Sequence, residues 1–238
     1  MLVGLVCGLA VLVGFGAAVV NGWLHLNNPS AEHYPVRGVD VSRYQGTIDW
    51  PRIAAQNIQF AYLKATEGSS HVDPTFAINL DGSRAAGLRT GAYHFFSFSS
   101  PGDTQADNVI RTVPKRDGML PVAVDLEFYD SYWLQPAPAD QVRRELTALL
   151  ARLQQHYRSP AILYVTAEAY DRYITGHFPG LEVWIRDVWR SPTLSDGRPW
   201  RFWQFSDRHR LAGYAGEEPF IDLNVFAGSR EDWERYRR

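Results

Sequence analysis

From Val36 onward the chain alternates short apolar runs with stretches of helical periodicity, and this alternation restricts its fold more than any other feature. The segments Val36–Val41, Phe60–Ala65, Thr90–Phe96, Leu120–Asp125 and Ala161–Val165 read as strands, short and rich in β-branched or aromatic residues. Helical stretches separate them. Asp49-Trp50-Pro51 opens a helix with proline at an early position. A second helix carries Phe76 and Leu80 and is broken by Gly87. A third runs from Asp103 to Val113 with Asp103 as N-cap. The clearest spans Asp140–Tyr157, with Val142, Leu146, Leu149, Leu150 and Leu153 on one face. After a short helix near Ala167–Tyr173 the helical spacers shrink. Glu182–Ile185, Arg201–Phe205 and Phe220–Val225 read as further strands, and a short helix, Glu231–Arg238, closes the chain. Strand–helix repeats imply parallel strands with right-handed crossovers. Eight strands in one domain of this length imply an α/β fold closed into a TIM-like βα barrel. An open doubly wound sheet is the alternative, but it usually brings a glycine-rich phosphate loop after the first strand, and none follows Val41.

The N-terminal region has a different character. Leu2–Val20 contains no charged side chain, and a helix of that length reaches about 28 Å, close to the thickness of a bilayer core. Trp23 then suits the headgroup interface. Residues 1–22 are therefore expected to form a transmembrane anchor, with a signal segment cleaved after Ala17 or Ala18 as the alternative. Residues 23–35, including Asn27-Asn28-Pro29-Ser30, read as a polar tether, and 36–238 as the barrel domain. The lone Cys7 excludes a disulfide and cysteine-based zinc sites. The seven histidines show no metal-binding spacing, so neither metal nor cofactor is expected. A net charge of −2 gives no reason to expect nucleic acid as a partner.

The chemistry begins at Pro121-Val122-Ala123-Val124-Asp125-Leu126-Glu127, where an apolar strand ends in two carboxylates one residue apart. Alternate strand residues share a face, so Asp125 and Glu127 project side by side. Close carboxylates push their pKa values apart, which lets one act as an acid while the other stays ionised. Alone, the pair reads more simply as a strand end with two solvated acids. In a βα barrel, however, the active site lies at the strand ends. Those ends also offer Asp40 and Ser42, Lys64 and Glu67, Tyr93 and His94, Tyr164, Trp203 and Gln204, and Asp222 and Asn224. Each has a plain alternative, such as a helix cap, a surface ion pair or a packed core histidine. Acids at so many ends are harder to explain as caps, and they suggest the carboxylate cleft of a glycosidase.

The segments Gly38-Val39-Asp40-Val41-Ser42-Arg43-Tyr44-Gln45-Gly46, Tyr62-Leu63-Lys64-Ala65-Thr66-Glu67-Gly68, Gly91-Ala92-Tyr93-His94-Phe95, Val124-Asp125-Leu126-Glu127, Trp203-Gln204-Phe205-Ser206 and Ile221-Asp222-Leu223-Asn224-Val225-Phe226 resemble glycoside hydrolase family 25, the Chalaropsis-type lysozymes. The resemblance covers about residues 36–228. It implies a flattened barrel whose last strands lack full helices, and hydrolysis of the β-1,4 bond between N-acetylmuramic acid and N-acetylglucosamine in peptidoglycan. Glu127 matches the proton donor, and Asp125, Asp40 and Asp222 match the other acids of the cleft. Tyr164 and Trp203 match aromatic positions of the groove, and Tyr93, Gln204 and Lys64 complete the expected substrate-binding set. The chain departs from the family at Trp184-Ile185-Arg186-Asp187-Val188-Trp189, where Trp-Ile-Ala-x-Tyr is common, and at Phe205, commonly Tyr. Arg186 is placed to contact the glycan or its peptide stem, or to narrow the groove.

Because Asp125 shares a strand face with Glu127, it is poorly placed as an opposing nucleophile. Retention assisted by the substrate's own acetamido group is the expectation, and direct inverting attack with Asp40 or Asp222 as base is the alternative. A non-catalytic peptidoglycan-binding protein and a chitinase-like hydrolase are the rival functions. The expected partners are peptidoglycan glycan strands and, through residues 1–22, the membrane. The expected form is a monomer in the cell envelope, with the catalytic domain facing the periplasm or cell wall, or secreted if the segment is cleaved.

Overall fold

The computed structural model describes residues 13–25 and 27–236. Eight strands close into a barrel: β1 (Arg37–Val41), β2 (Phe60–Glu67), β3 (Arg89–Phe95), β4 (Ala123–Leu126), β5 (Ile162–Thr166), β6 (Glu182–Arg186), β7 (Phe202–His209) and β8 (Ile221–Phe226). Each pairs with the next, and β1 completes the ring by pairing with both β2 and β8. Strands β1 to β7 are parallel. Strand β8 is antiparallel to both of its neighbours, β7 and β1. That corrects the expectation of parallel strands throughout. A parallel return needs a long crossover, whereas residues 210–220 simply turn back, with Tyr214–Ala215 pairing to Thr47–Ile48 on the way. Asp222 therefore reaches the barrel mouth from the start of its strand, not the end.

Helices α1 (Trp50–Ala54), α2 (Phe76–Ala85), α3 (Gly102–Thr112) and α4 (Ala139–Tyr157) cover the connections from β1 to β5. A short turn of helix, Ala167–Ala169, running into Tyr170–Ile174 follows β5, and no helix joins β6 to β7 or β7 to β8. α5 (Arg230–Arg235) follows β8. Asp49 caps α1 by accepting from the Arg52 backbone N–H at 3.2 Å. Asp103 does not cap α3, because the helix starts one residue earlier, after Pro101. The Gly102 N–H donates instead to Glu145 Oε2 on α4 at 2.8 Å. The two helices approach so closely that a Cβ on Gly102 would lie 1.8 Å from the Glu145 carbonyl oxygen.

Strand alternation sorts the apolar residues into two layers. Val39, Leu63, Val124 and Leu163 face outward against Leu146, Leu149 and Leu153 of α4 and the other helices. Phe60, Tyr62, Ile162, Trp184, Phe202 and Phe226 face inward and fill the lower barrel. Trp233 and Tyr236 seal its floor, with Trp233 5.2 Å from the Phe60 ring and 5.1 Å from Phe226. Burying each such side chain contributes about 1.5–3 kcal/mol.

Most of the expected membrane segment, residues 1–12, lies outside the described residues. Residues 13–20 are helical, and among the described residues no helix is long and apolar enough to cross a membrane. The segment expected as a tether lies against the side of the barrel that lacks helices. Tyr34 packs on Trp200 and Trp203, with ring centroids 5.9 and 5.8 Å away. The Asn27 amide donates to the Asp187 carbonyl at 3.2 Å, His25 stacks on His209 at 3.7 Å, and Arg208 Nη1 donates to the Val20 carbonyl at 2.7 Å.

Candidate active site

Two residues along each strand from the inner apolar layer, the character of the inward row changes. Gly38 gives way to Asp40, Tyr62 to Lys64, Gly91 to Tyr93, Ala123 to Asp125, Ile162 to Tyr164, and Phe202 to Gln204. Glu127 follows one step beyond Asp125. A cavity of about 200 Å³ at the mouth is lined by Asp40, Lys64, Tyr93, Asp125, Glu127 and Asp222, with Tyr164 and Trp184 as further walls. It continues into a space of about 440 Å³ that shares Asp40, Tyr93 and Asp222. A larger hollow of about 630 Å³ lies at the opposite end of the barrel, by Met119 and Tyr157, and none of the acids reaches it.

Asp40 and Asp222 sit directly opposite one another in the antiparallel β1–β8 register. Gln204 Nε2 bridges them, 3.0 Å from Asp40 Oδ2 and 3.1 Å from Asp222 Oδ2. The Asn224 amide donates to Asp40 Oδ2 at 2.7 Å and itself accepts from Trp184 Nε1 at 2.7 Å. The Tyr164 hydroxyl donates to Gln204 Oε1 at 2.9 Å, which fixes the amide's orientation. Burial pushes both carboxyls up. The amide donors pull Asp40 part of the way back, while the charge of Asp40 pushes Asp222 further. Both carboxyls are thus pushed toward their neutral form, Asp222 by the charge of its neighbour as well as by burial.

Asp125 and Glu127 form the second pair. Burial, then the charge of Glu127, holds Asp125 well above the usual carboxylate range. Burial also raises Glu127, with the nearby cations Arg186 and Lys64 opposing and Asp40 adding to it. Both carboxyls are pushed toward their protonated form, the direction a proton donor needs. Among the described residues, Asp125 Oδ1 is buried without a hydrogen-bond partner. Burial and the surrounding acids hold the Tyr93 and Tyr164 hydroxyls well above their ordinary value, so both remain neutral donors. Lys64 Nζ is 2.8 Å from Glu67 Oε2 and lies over the Phe95 ring at 4.8 Å.

The fold brings Glu127, Asp125, Asp40, Asp222, Tyr93, Tyr164 and Lys64 to one cleft, with Gln204 braced behind the acids. It does not bring Trp203 there. Adjacent strand residues face opposite ways, so with Gln204 inward Trp203 must face outward. It is 2% exposed, and its Nε1 donates to the Asp187 carbonyl at 2.8 Å. His94 also faces outward, between Thr66 Oγ1 at 2.8 Å and Gln105 Oε1 at 3.0 Å, and burial lowers its pKa to about 4. It is a packed core histidine. Asn224 and Trp184 have larger roles in the site than sequence reasoning assigns. The signal for both is the two-residue spacing, since Asn224 lies two from Asp222 and Trp184 two from Arg186.

Comparison with known proteins agrees with this geometry. The model of glycosyl hydrolases family 25 matches residues 39–214. The chain belongs to glycosyl hydrolases family 25. It is 46% identical to a family 25 glycosyl hydrolase of Bacillus anthracis, whose structure superposes with a TM-score of 0.84 over 89% of this chain and 98% of that one. The bacterial lysozyme of Streptomyces coelicolor superposes with a TM-score of 0.71 at 30% identity, over 82% of this chain and 94% of that one. In sequence, lysozyme M1 of Streptomyces globisporus is 34% identical over 209 residues, 82% of this chain and 68% of its own. This chain is accordingly a glycoside hydrolase of the lysozyme type, on the closed barrel described above.

Proposed function

We propose that this family 25 enzyme hydrolyses the β-1,4 bond between N-acetylmuramic acid and N-acetylglucosamine in peptidoglycan by retaining, substrate-assisted catalysis. The observation that carries the mechanism is the unpartnered Asp125 Oδ1, buried beside Glu127 on the same strand face. A 2-acetamido N–H would supply its missing donor. With Asp125 engaged as a carboxylate, the proton is left to Glu127. The acetamido oxygen then attacks the anomeric carbon as the bond to the leaving oxygen breaks, and Glu127 delivers its proton to that oxygen. Asp125 stabilises the positive charge developing on the acetamido group. Water next attacks the anomeric carbon, the Glu127 carboxylate takes its proton, and the ring intermediate opens with net retention.

Direct inversion needs a free base. Asp40 is occupied by two amide donors, and Asp222 accepts from Gln204 while burial and the charge of Asp40 push it toward its neutral form, so neither suits that role. Product stereochemistry by NMR tests the proposal: the first-formed reducing sugar should keep the β configuration, and an initial α anomer would eliminate the route. Such an enzyme works in the cell envelope. We place it there as a monomer, attached through residues 1–22 or released by their cleavage. Fractionation of expressing cells into membrane and soluble pools, with the N-terminal residue of the mature chain determined, separates the two.

A further inference from the structure

An anionic glycan entering a cleft of four carboxylates needs a cation to meet it. Three basic side chains stand near the acids: Lys64 on β2, Arg186 at the end of β6, and Arg208 on β7, whose guanidinium is held by the Val20 carbonyl and lies over the Phe220 ring. They differ in what remains free. Lys64 is already paired with Glu67 and capped by the Phe95 ring, and its side chain is 15% exposed. Arg186 has the inward parity of Trp184, two residues before it, and 32% of its side chain is exposed. Among the described residues its guanidinium makes one hydrogen bond, from Nη2 to Asp207 Oδ2 at 2.7 Å. A guanidinium carries five N–H donors in a planar fork, so most of this one is left for another oxyanion. Asp207 also borders the acid-lined cleft, and both residues line a side pocket of about 190 Å³, with Val188 and Trp189 on one side and Val20, His25 and Asn27 of the N-terminal segment on the other. Arg186 therefore lines a compartment large enough for a small substituent, and Asp207, its partner, borders both that compartment and the acid-lined cleft.

We propose that Arg186 is a specificity-determining residue that binds a carboxylate carried on the muramic acid side arm, either the free lactyl carboxylate or one on an attached peptide stem. The inference rests on the muramidase reading of the same cleft. Asp207 would hold the guanidinium in place while the substrate carboxylate takes the remaining donors. A neutral side arm would leave those donors without a partner in a partly buried site, and this provides the discrimination.

The test uses the full chain and four substrates: peptide-bearing glycan, glycan stripped of its peptides by an amidase, and each of these after carbodiimide amidation of its carboxylates. Wild type should cleave at least one carboxylate form with a kcat/KM about ten-fold above its amidated counterpart, chiefly through KM. Whichever form shows the difference identifies the lactyl group or the stem as the source. Arg186→Met should bring the two values together by lowering the carboxylate form, and Arg186→Lys should keep part of the difference. Circular dichroism and thermal melting confirm that the variants are folded. Equal loss on amidated and unamidated glycan, or a shifted pH profile without a change in preference, would overturn the proposal by making Arg186 only a tuner of the acids. Equal cleavage of all four substrates by wild type would overturn it as well. If wild type cleaves none of them, the muramidase reading fails and this proposal falls with it.

Discussion

The floor and the mouth of the barrel are made by the same strands, two residues apart, and they do opposite things. At the floor, Phe60, Phe202, Phe226 and Trp233 interlock edge to face and exclude water. At the mouth, the next inward positions hold carboxylates that burial forces toward protonation. The floor stabilises the closed ring, and the mouth uses part of that stability to hold acids where each would rather be solvated. The contrast shows that a single step along the inward row separates structural from chemical positions.

The largest effect is expected at the mouth. Glu127→Gln should lower turnover of purified cell walls about a thousand-fold, as loss of the general acid requires, with the circular dichroism spectrum unchanged. Near-normal turnover would remove Glu127 from the mechanism. Asp125→Asn should cost about a hundred-fold or more in kcat with little change in KM, because its stabilisation is made in the transition state. The same variant should show the mouth's strain. A buried acid with a raised pKa contributes most to stability below its unfolded value, and that contribution is lost as pH rises through the folded value. Asp125→Asn should therefore gain stability over wild type at pH 7 and lose that advantage near pH 4, as read by urea unfolding at both. A variant no more stable than wild type at either pH would mean that the site carries no such strain.

At the floor, Phe202→Ala should destabilise by about 3–5 kcal/mol, while the protein that remains folded keeps its KM. Trp203→Phe probes the outer face. It should cost about 1–3 kcal/mol by removing the shorter of the two hydrogen bonds to the Asp187 carbonyl and leaving a gap under the smaller ring, with kinetics unchanged. A rise in KM would return Trp203 to the groove. The smallest effect is expected at Lys64, one of the cations opposing the upward shift of Glu127. Activity should fall as pH rises through the pKa of the acid, and Lys64→Met should move that descending limb to higher pH.

Sequence periodicity made much of this legible. The strand starts and the long helix over α4 follow directly from apolar spacing, and the acids stand out because buried strands seldom end in so many. What stayed hidden depended on direction. Nothing in Ile221–Phe226 distinguishes a strand running up from one running down, so the antiparallel β8 could only be seen in its pairing. The family match at Trp203-Gln204 points both residues at the groove, but strand geometry turns only one of two neighbours inward, and here it is Gln204. The docking of residues 23–35 was hidden for another reason. A polar composition looks like a free linker, yet Asn27 and His25 find their partners on β7 and the loop before it, far along the chain.

The pairing of the first strand with the last has a consequence for assembly. The amide that fixes Asp40 belongs to Asn224, 184 residues away, and the bridge from Gln204 spans 164. Contacts of such long range carry a large loop-closure cost, which makes them slow to form. Until the ring shuts, Asp40 and Asp222 stay apart and hydrated, and the repulsion between them does not oppose the growth of the sheet. An incomplete barrel is then inert as well as open, and hydrolytic competence arrives together with the native fold.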